Sequence, residues 1–406
     1  MSDSSSTQLF YRAEQTWGED PTLASPLEPL RELRFTNESL NYSAQTAVSE
    51  EIRSDRQVSD IIRTGVESGG DIGVELSFGA FDDLFEGMLY NDWSAVLDSD
   101  ATSPADPGFL VSGSPSTISA ASPTTGILDL LTVGAFIEIT ASTLSPSNDG
   151  FYRVDANSGA GSVTVSPPLP SAGVDSFRIR ESHLRNGVTL KSFLLEKAFT
   201  DVSEFFTFTG MRVGTANISI APGAILTGSF GFSGENATMQ GTSIIAGLTS
   251  PESIPVAAND VYNAVDNVGN VLIDGVVDAD VCFTEISFDV ENNLRFQPCI
   301  GQLESSGIGV GRTQISGTLS AYFINRTFFE KYLNFDTVSV SFSVTDAAGN
   351  TYLIDFPSVK FTNGEVVAGG NDEDVLVTIE FTAKRDPTLG FTLGMNRFGA
   401  IPTIVA

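Results

Sequence analysis

Asp71-Ile72-Gly73-Val74-Glu75-Leu76-Ser77-Phe78 alternates apolar with polar or small residues without a break. A period of two puts Ile72, Val74, Leu76 and Phe78 on one face, which predicts a half-buried strand. Just beyond it, Asp82–Leu89 spaces Leu84, Phe85, Met88 and Leu89 as a short helix with one buried side. The pair recurs near the other end of the chain. Ile315, Leu319, Ala321 and Phe323 alternate with Ser316, Thr318 and Ser320, and Thr327-Phe328-Phe329-Glu330-Lys331-Tyr332-Leu333 stands where the first helix stood.

Outward from these pairs the order is the same in both places. An alternating segment comes first: Leu40, Tyr42 and Ala44 in one half, Ile286, Phe288 and Val290 in the other. A mixed, loop-like stretch follows (45–70 and 292–310), then the strand, the helix and three or four more strands. In the second half these are 338–345, 352–356 and 375–382. Recurrence of a whole order predicts an internal duplication. Between the halves, 133–180 reads as a small all-β unit: Ile137 and Ile139 alternate with Glu138, and turn signals stand at Asn148-Asp149-Gly150 and Ser158-Gly159. The expected fold is mainly β, with two tandem β-sandwich or barrel domains, each with a short helix, plus a small inserted all-β domain. The expected boundaries are 1–34 for an N-terminal extended arm, 35–94 with 183–247 for the first domain, 95–182 for the insertion, 248–282 for a linker and 283–406 for the second domain.

Composition narrows the function. The chain has 406 residues, with 38 glycines and 18 prolines, which favours short strands and turns over long helices. Its 21 basic and 51 acidic residues give a net charge of −30. This argues against a protein that grips nucleic acid through clustered Lys and Arg, although not against one that lets DNA pass. The single histidine, His183, makes a hydrolase triad improbable and reads as a surface or loop residue. Cys282 and Cys299 are too few for a disulfide framework or a zinc site and read as buried thiols. No basic, apolar leader and no membrane-length apolar run is present in the sequence, so folding in a reducing cytoplasm is expected.

Other motifs read as structure. Gly307-Ile308-Gly309-Val310-Gly311 lacks the spacing of a dinucleotide loop and opens a strand, so it reads as a loop or bulge. Asn371-Asp372-Glu373-Asp374 lacks the glycine and distal glutamate of a calcium loop and reads as a solvated hairpin tip. No catalytic pair, cofactor or metal site is expected, and the chain reads as no enzyme.

Several stretches together resemble the tail tube proteins of long, non-contractile-tailed bacteriophages. The most specific is Ser49-Glu50-Glu51-Ile52-Arg53-Ser54-Asp55-Arg56-Gln57; Glu14-Gln15-Thr16-Trp17-Gly18, Leu33-Arg34-Phe35-Thr36-Asn37, Phe193-Leu194-Leu195-Glu196-Lys197, Phe208-Thr209-Gly210-Met211-Arg212-Val213 and Phe381-Thr382-Ala383-Lys384-Arg385-Asp386 also fit. The resemblance implies a structural subunit whose rings stack into a hollow tube, with strands from each subunit joined around the lumen. Two tube domains per chain imply trimers with pseudo-sixfold symmetry. The partners implied are the chain itself, a tape measure protein, a tail terminator and distal tail proteins, with genomic DNA passing unread and no membrane. The place implied is the virion tail, assembled in the host bacterial cytoplasm. Glu50, Glu51, Arg53, Asp55 and Arg56 are the candidates for an inter-ring stacking loop. Asp71, Glu75, Asp289 and Glu291 are the candidates for an acidic lumen wall, and the insertion is expected to face outward. The alternative is a self-assembling virion decoration or surface adhesion β protein.

Overall fold

The structure is a computed structural model that describes residues 3–18, 29–99, 108–114, 116–120, 126–244, 259–277, 281–324, 326–368 and 370–399. Parts of the expected arm, insertion and linker (19–28, 100–107, 121–125, 245–258 and 278–280) lie outside the described residues. The chain is mainly β and forms two compact units. The first holds residues 1–90, 188–261 and 287–316; the second holds 91–187, 262–286 and 317–406.

In the first unit a long strand, Glu204–Ile220, is the hub. Its first half pairs with Phe193–Phe199 and with Asn236–Gln240; its second half pairs with Thr227–Gly234. Thr227–Gly234 in turn pairs with Ile61–Glu75, and the near end of Ile61–Glu75 pairs with Asn41–Val48. The predicted alternation holds in the core: Ile72, Val74, Leu76 and Phe78 are all buried. Helix Asp82–Leu89 packs Leu84, Phe85, Met88 and Leu89 onto this face, with Phe85 against Phe230 at 5.8 Å. Asp82 and Asp83 sit in its first turn, where the helix dipole favours negative charge. Gly87 is required by the packing, since a Cβ there would come within 2.5 Å of the Phe193 ring.

The second unit repeats this plan around Thr351–Val367. Its first half pairs with Thr337–Thr345 and with Gly394–Phe398; its second half pairs with Leu376–Ala383. The register breaks correspond as well. Glu204–Ile220 shifts register between the pairs Phe193↔Met211 and Leu195↔Phe208, and Thr351–Val367 shifts between Val338↔Val359 and Val340↔Phe356. On the other side the breaks fall between Val213 and Thr215 in one strand, and between Phe361 and Asn363 in the other. Bulges are specific local features, and two at matching positions in two strands mark copies of one plan.

The insertion forms an eight-stranded sheet with its own core, including Phe109 stacked on Phe177 at 4.6 Å. Expected as an insertion into the first domain, it folds in the second unit. Phe136 and Phe151 pack with Leu353 and Phe398, and His183–Arg185 pairs with Gly394–Phe398. Arg153 makes an ion pair with buried Asp355. Burial pushes the Asp355 carboxyl up to about 6 despite that arginine.

Several expectations change. Residues 7–13 and 31–33 of the expected arm are strands, with Leu9, Phe10 and Tyr11 buried by pairing with Phe193–Phe199. The alternating segment after Leu40 is not half-buried: Asn41–Val48 is exposed along its whole length. The stretch 45–70 is a hairpin rather than a loop, because Ile61–Glu75 pairs back on Asn41–Val48 and leaves only 49–60 as the turn. Its counterpart is also partly ordered, as the hairpin of Arg295–Pro298 and Ser305–Gly309, which places Gly307 and Gly309 on a strand. Cys282 and Cys299 are free and exposed, since one precedes a strand and the other sits at that hairpin's turn. Phe323 falls just past the strand end and is exposed. His183 lies on a strand, its Nδ1 3.0 Å from Glu181 Oε1.

Candidate assembly site

Two features of the first unit carry the residues singled out by the sequence: the solvent face of the sheet and the turn at 49–60. The sheet face follows from register. Asp71 lies opposite Gly231, which lies opposite Thr215; Gly73, Ser229 and Asn217 form the next row, and Glu75, Thr227 and Ser219 the row after. These side chains alternate with buried Ile72, Val74, Ala216 and Ile218, so they point away from the core. The Ser287–Glu291 segment lies along the far side of the same rows, where Asn217 Nδ2 donates to Asp289 Oδ1 at 2.8 Å. The four acids picked from two distant stretches are thus brought to one unit. Asp71, Asp289 and Glu291 are exposed and Glu75 is half-buried, beside residues 32–36. Glu291 borders a shallow groove with Gly214, Asn293, Arg295 and Arg312. Gly231 makes room at the centre: a Cβ there would meet Thr215 Oγ1 at 2.2 Å and Asp71 Oδ1 at 2.7 Å.

The sequence reading missed Glu67. It extends the Asp71 and Glu75 side of the strand by the same alternation and accepts a hydrogen bond from Gln45 Nε2 at 3.1 Å. The signal was present, but Gly69-Gly70 looked like a boundary rather than strand.

The turn 49–60 is closed by Ser49 N–H donating to the Asp60 carbonyl at 2.9 Å. Glu50, Glu51, Arg53, Asp55 and Arg56 are all exposed. Arg53 binds Asp55 through two hydrogen bonds, Nε to Oδ1 at 3.1 Å and Nη2 to Oδ2 at 3.0 Å. The guanidinium holds the Asp55 carboxyl below its usual range. Fully exposed ion pairs of this kind shape a loop more than they stabilise a fold. Among the described residues Glu50, Glu51 and Arg56 make no ion pair. The missed residue here is Ile52, whose side chain is fully exposed, with Val58 exposed nearby. The hairpin of the other half ends the same way, with Ile300 fully exposed beside Cys299. An isoleucine thus stands in water at each of two turn tips.

The family model for the phage tail tube protein matches residues 4–383. The chain belongs to the phage tail tube protein family. No curated protein is similar enough to match. The family is structural, and it accounts for a β subunit whose notable groups lie on open surfaces. It implies stacking of the tail tube protein on itself, contact with other tail proteins, and a place in the virion tail. Among the described residues no helix is long and apolar enough to cross a membrane.

Proposed function

We propose that this tail tube protein assembles as trimers with pseudo-sixfold symmetry, each chain supplying two tube domains to a ring. The observation that carries this reading is the repeated strand order with bulges at matching positions around Glu204–Ile220 and Thr351–Val367. A chain with two equivalent domains closes a ring through heterologous contacts with half as many copies as a single-domain chain.

In this reading the face bearing Asp71, Glu75, Asp289 and Glu291 lines the lumen. Three copies carry a large negative charge, so phosphates are repelled and DNA slides without being held. The turn with Glu50, Glu51, Arg53, Asp55 and Arg56 reaches the adjacent ring, where Ile52 supplies buried apolar area and the charges set register. The insertion faces outward. Tape measure, terminator and distal tail proteins meet the tube, which forms in the host cytoplasm, and the DNA passes through it during ejection.

The test is negative-stain electron microscopy of the purified protein with averaged top views. The expected images are rings or tubes with a central hole, threefold in outer mass and with six similar inner densities. Sixfold outer mass, with one chain per repeat, overturns the trimer. Replacing Asp71 and Asp289 by Lys is expected to slow DNA ejection while tubes still form; unchanged ejection sinks the lumen assignment.

A further inference from the structure

The two long strands match in length and bulges but not in what covers their edges. On Glu204–Ile220, the side left open past Phe193–Phe199 is occupied by residues 287–316. Asn292 N–H donates to the Gly214 carbonyl at 2.8 Å, at the bulge itself, and its side-chain amide donates to the Met88 and Val213 carbonyls. Arg212 donates to the Ile308 carbonyl, and Val66 N–H to the Leu303 carbonyl at 3.0 Å. The occupant therefore both extends the sheet and caps the end of helix Asp82–Leu89. Beneath it Ala216, Ile218 and Ile220 are only 4%, 2% and 5% exposed.

On Thr351–Val367 the same side, past Thr337–Thr345, has no strand among the described residues: the strand pairs only with Thr337–Thr345, Leu376–Ala383 and Gly394–Phe398. Thr362 stands at the bulge, where Gly214 stands in the other strand, and Glu365 stands where Asn217 does. Val366, in the place of Ile218, is 37% exposed. Leu333 and Phe335, at the end of helix Thr327–Leu333, are exposed too, whereas Leu89 and Tyr90 in the other half are buried. One long strand has its cover, and among the described residues the other has none.

The missing cover exists in the chain. The hairpin of Asn41–Val48 with the start of Ile61–Glu75 holds the position in the repeat that 283–322 holds in the other half. It is exposed, and it presents Tyr42, Val48, Ile61 and Ile62 to solvent. We propose that this hairpin docks on the Phe361–Val367 edge of a second copy of this chain, reproducing there the place that residues 287–316 take on Glu204–Ile220. This rests on the ring reading above and names its lateral joint. The charges agree: Asn41–Val48 contains no acidic residue, so it lies beside Glu365 without like-charge cost, whereas a second copy of the Asp289 segment does not. Docking also removes both an unpaired strand edge and an exposed apolar patch, the two liabilities each copy carries alone.

Two variants test the joint. Val366→Asp with Val367→Asp spoils the edge but leaves the hairpin; Ile61→Asp with Ile62→Asp spoils the hairpin but leaves the edge. All four positions are exposed, so each chain is expected to fold, checked by near-UV circular dichroism against wild type. Each variant alone is expected to stay monomeric by sedimentation. Mixed in equal amounts they are expected to form dimers of twice the 43.0 kDa chain and nothing larger, the dimer fraction rising about tenfold over either alone. Rings from the hairpin variant alone, or a mixture no more dimeric than its parts, overturn the joint. Wild-type rings that never stack defeat the tube reading and leave the joint standing, whereas tubes that survive both variants do the reverse.

Discussion

Glu204–Ile220 and Thr351–Val367 are one design used under two conditions. The first strand is closed in by its own chain, and its apolar side chains are buried to the end. The second is built alike but stops being buried after Phe361, and its last residues, Thr362–Val367, lie at the surface. Intrinsic strand propensity does not explain the difference, because Val366 and Val367 are better strand formers than Ala216 or Ser219. What differs is whether a partner segment arrives. In the proposed joint, the chain satisfies one of its two lateral edges internally and offers the other to a second copy.

A second difference lies further along the same strands. Opposite Glu196 the first strand carries buried Thr207; opposite Ser341, at the matching place, the second carries buried Asp355. The acid is tolerated because the insertion, packed on this sheet, supplies Arg153. The insertion has thus changed the chemistry of one copy of the repeat and not the other.

The largest expected effect probes that change. Arg153→Ala leaves Asp355 buried without its partner and is expected to cost about 3–5 kcal/mol in denaturant unfolding of the second unit. A loss under about 1 kcal/mol would mean that the insertion is held by its other contacts, such as those of Phe136 and Phe151, and not by the ion pair. The pH dependence sharpens the same point. A carboxyl whose folded pKa is raised, from 3.8 to about 6, favours folding most fully while protonated, below pH 3.8. That contribution is lost as pH rises from about 4 through 6. Asp355→Asn is expected to flatten this part of the stability–pH curve, and an unchanged slope there would assign it to other groups.

A smaller effect probes the closed edge. Asn292→Ala removes the amide that donates to the Met88 and Val213 carbonyls and is expected to cost about 1–3 kcal/mol by thermal or denaturant melts. The smallest probes the open one. Phe335→Ser, at an exposed position, is expected to change the stability of the isolated chain by less than about 0.5 kcal/mol while weakening self-association in sedimentation. A large loss of monomer stability would show that the open edge is already part of the subunit's core.

Much of this was legible in the sequence. Periodicity is a local property, so Ile72, Val74, Leu76 and Phe78 and the helices Asp82–Leu89 and Thr327–Leu333 could be assigned from it. The duplication was legible because order along a chain survives when identity does not. The same logic misled at Tyr42 and Ala44. Their alternation describes a strand, but burial depends on a partner, and among the described residues none covers Asn41–Val48. The candidate stacking-loop residues read as charged and loop-borne, while Ile52 passes unnoticed because a single isoleucine in a polar run has no period to flag it.

The sequence by itself determined the strand and helix content, the two-fold repetition and the acidic charge, since these follow from residue types and their spacing; the family followed from resemblance. Tertiary structure decided what spacing does not encode. Register placed Asp71 and Asp289 in the same unit, on either side of Asn217. Nonlocal packing gave the insertion to the C-terminal sheet through Arg153 and Asp355, and made strands of Thr7–Ala13 and Arg31–Leu33. It also covered one long strand and left Phe361–Val367 open. Each of these depends on contacts between residues far apart in the chain, whose energy no local pattern records.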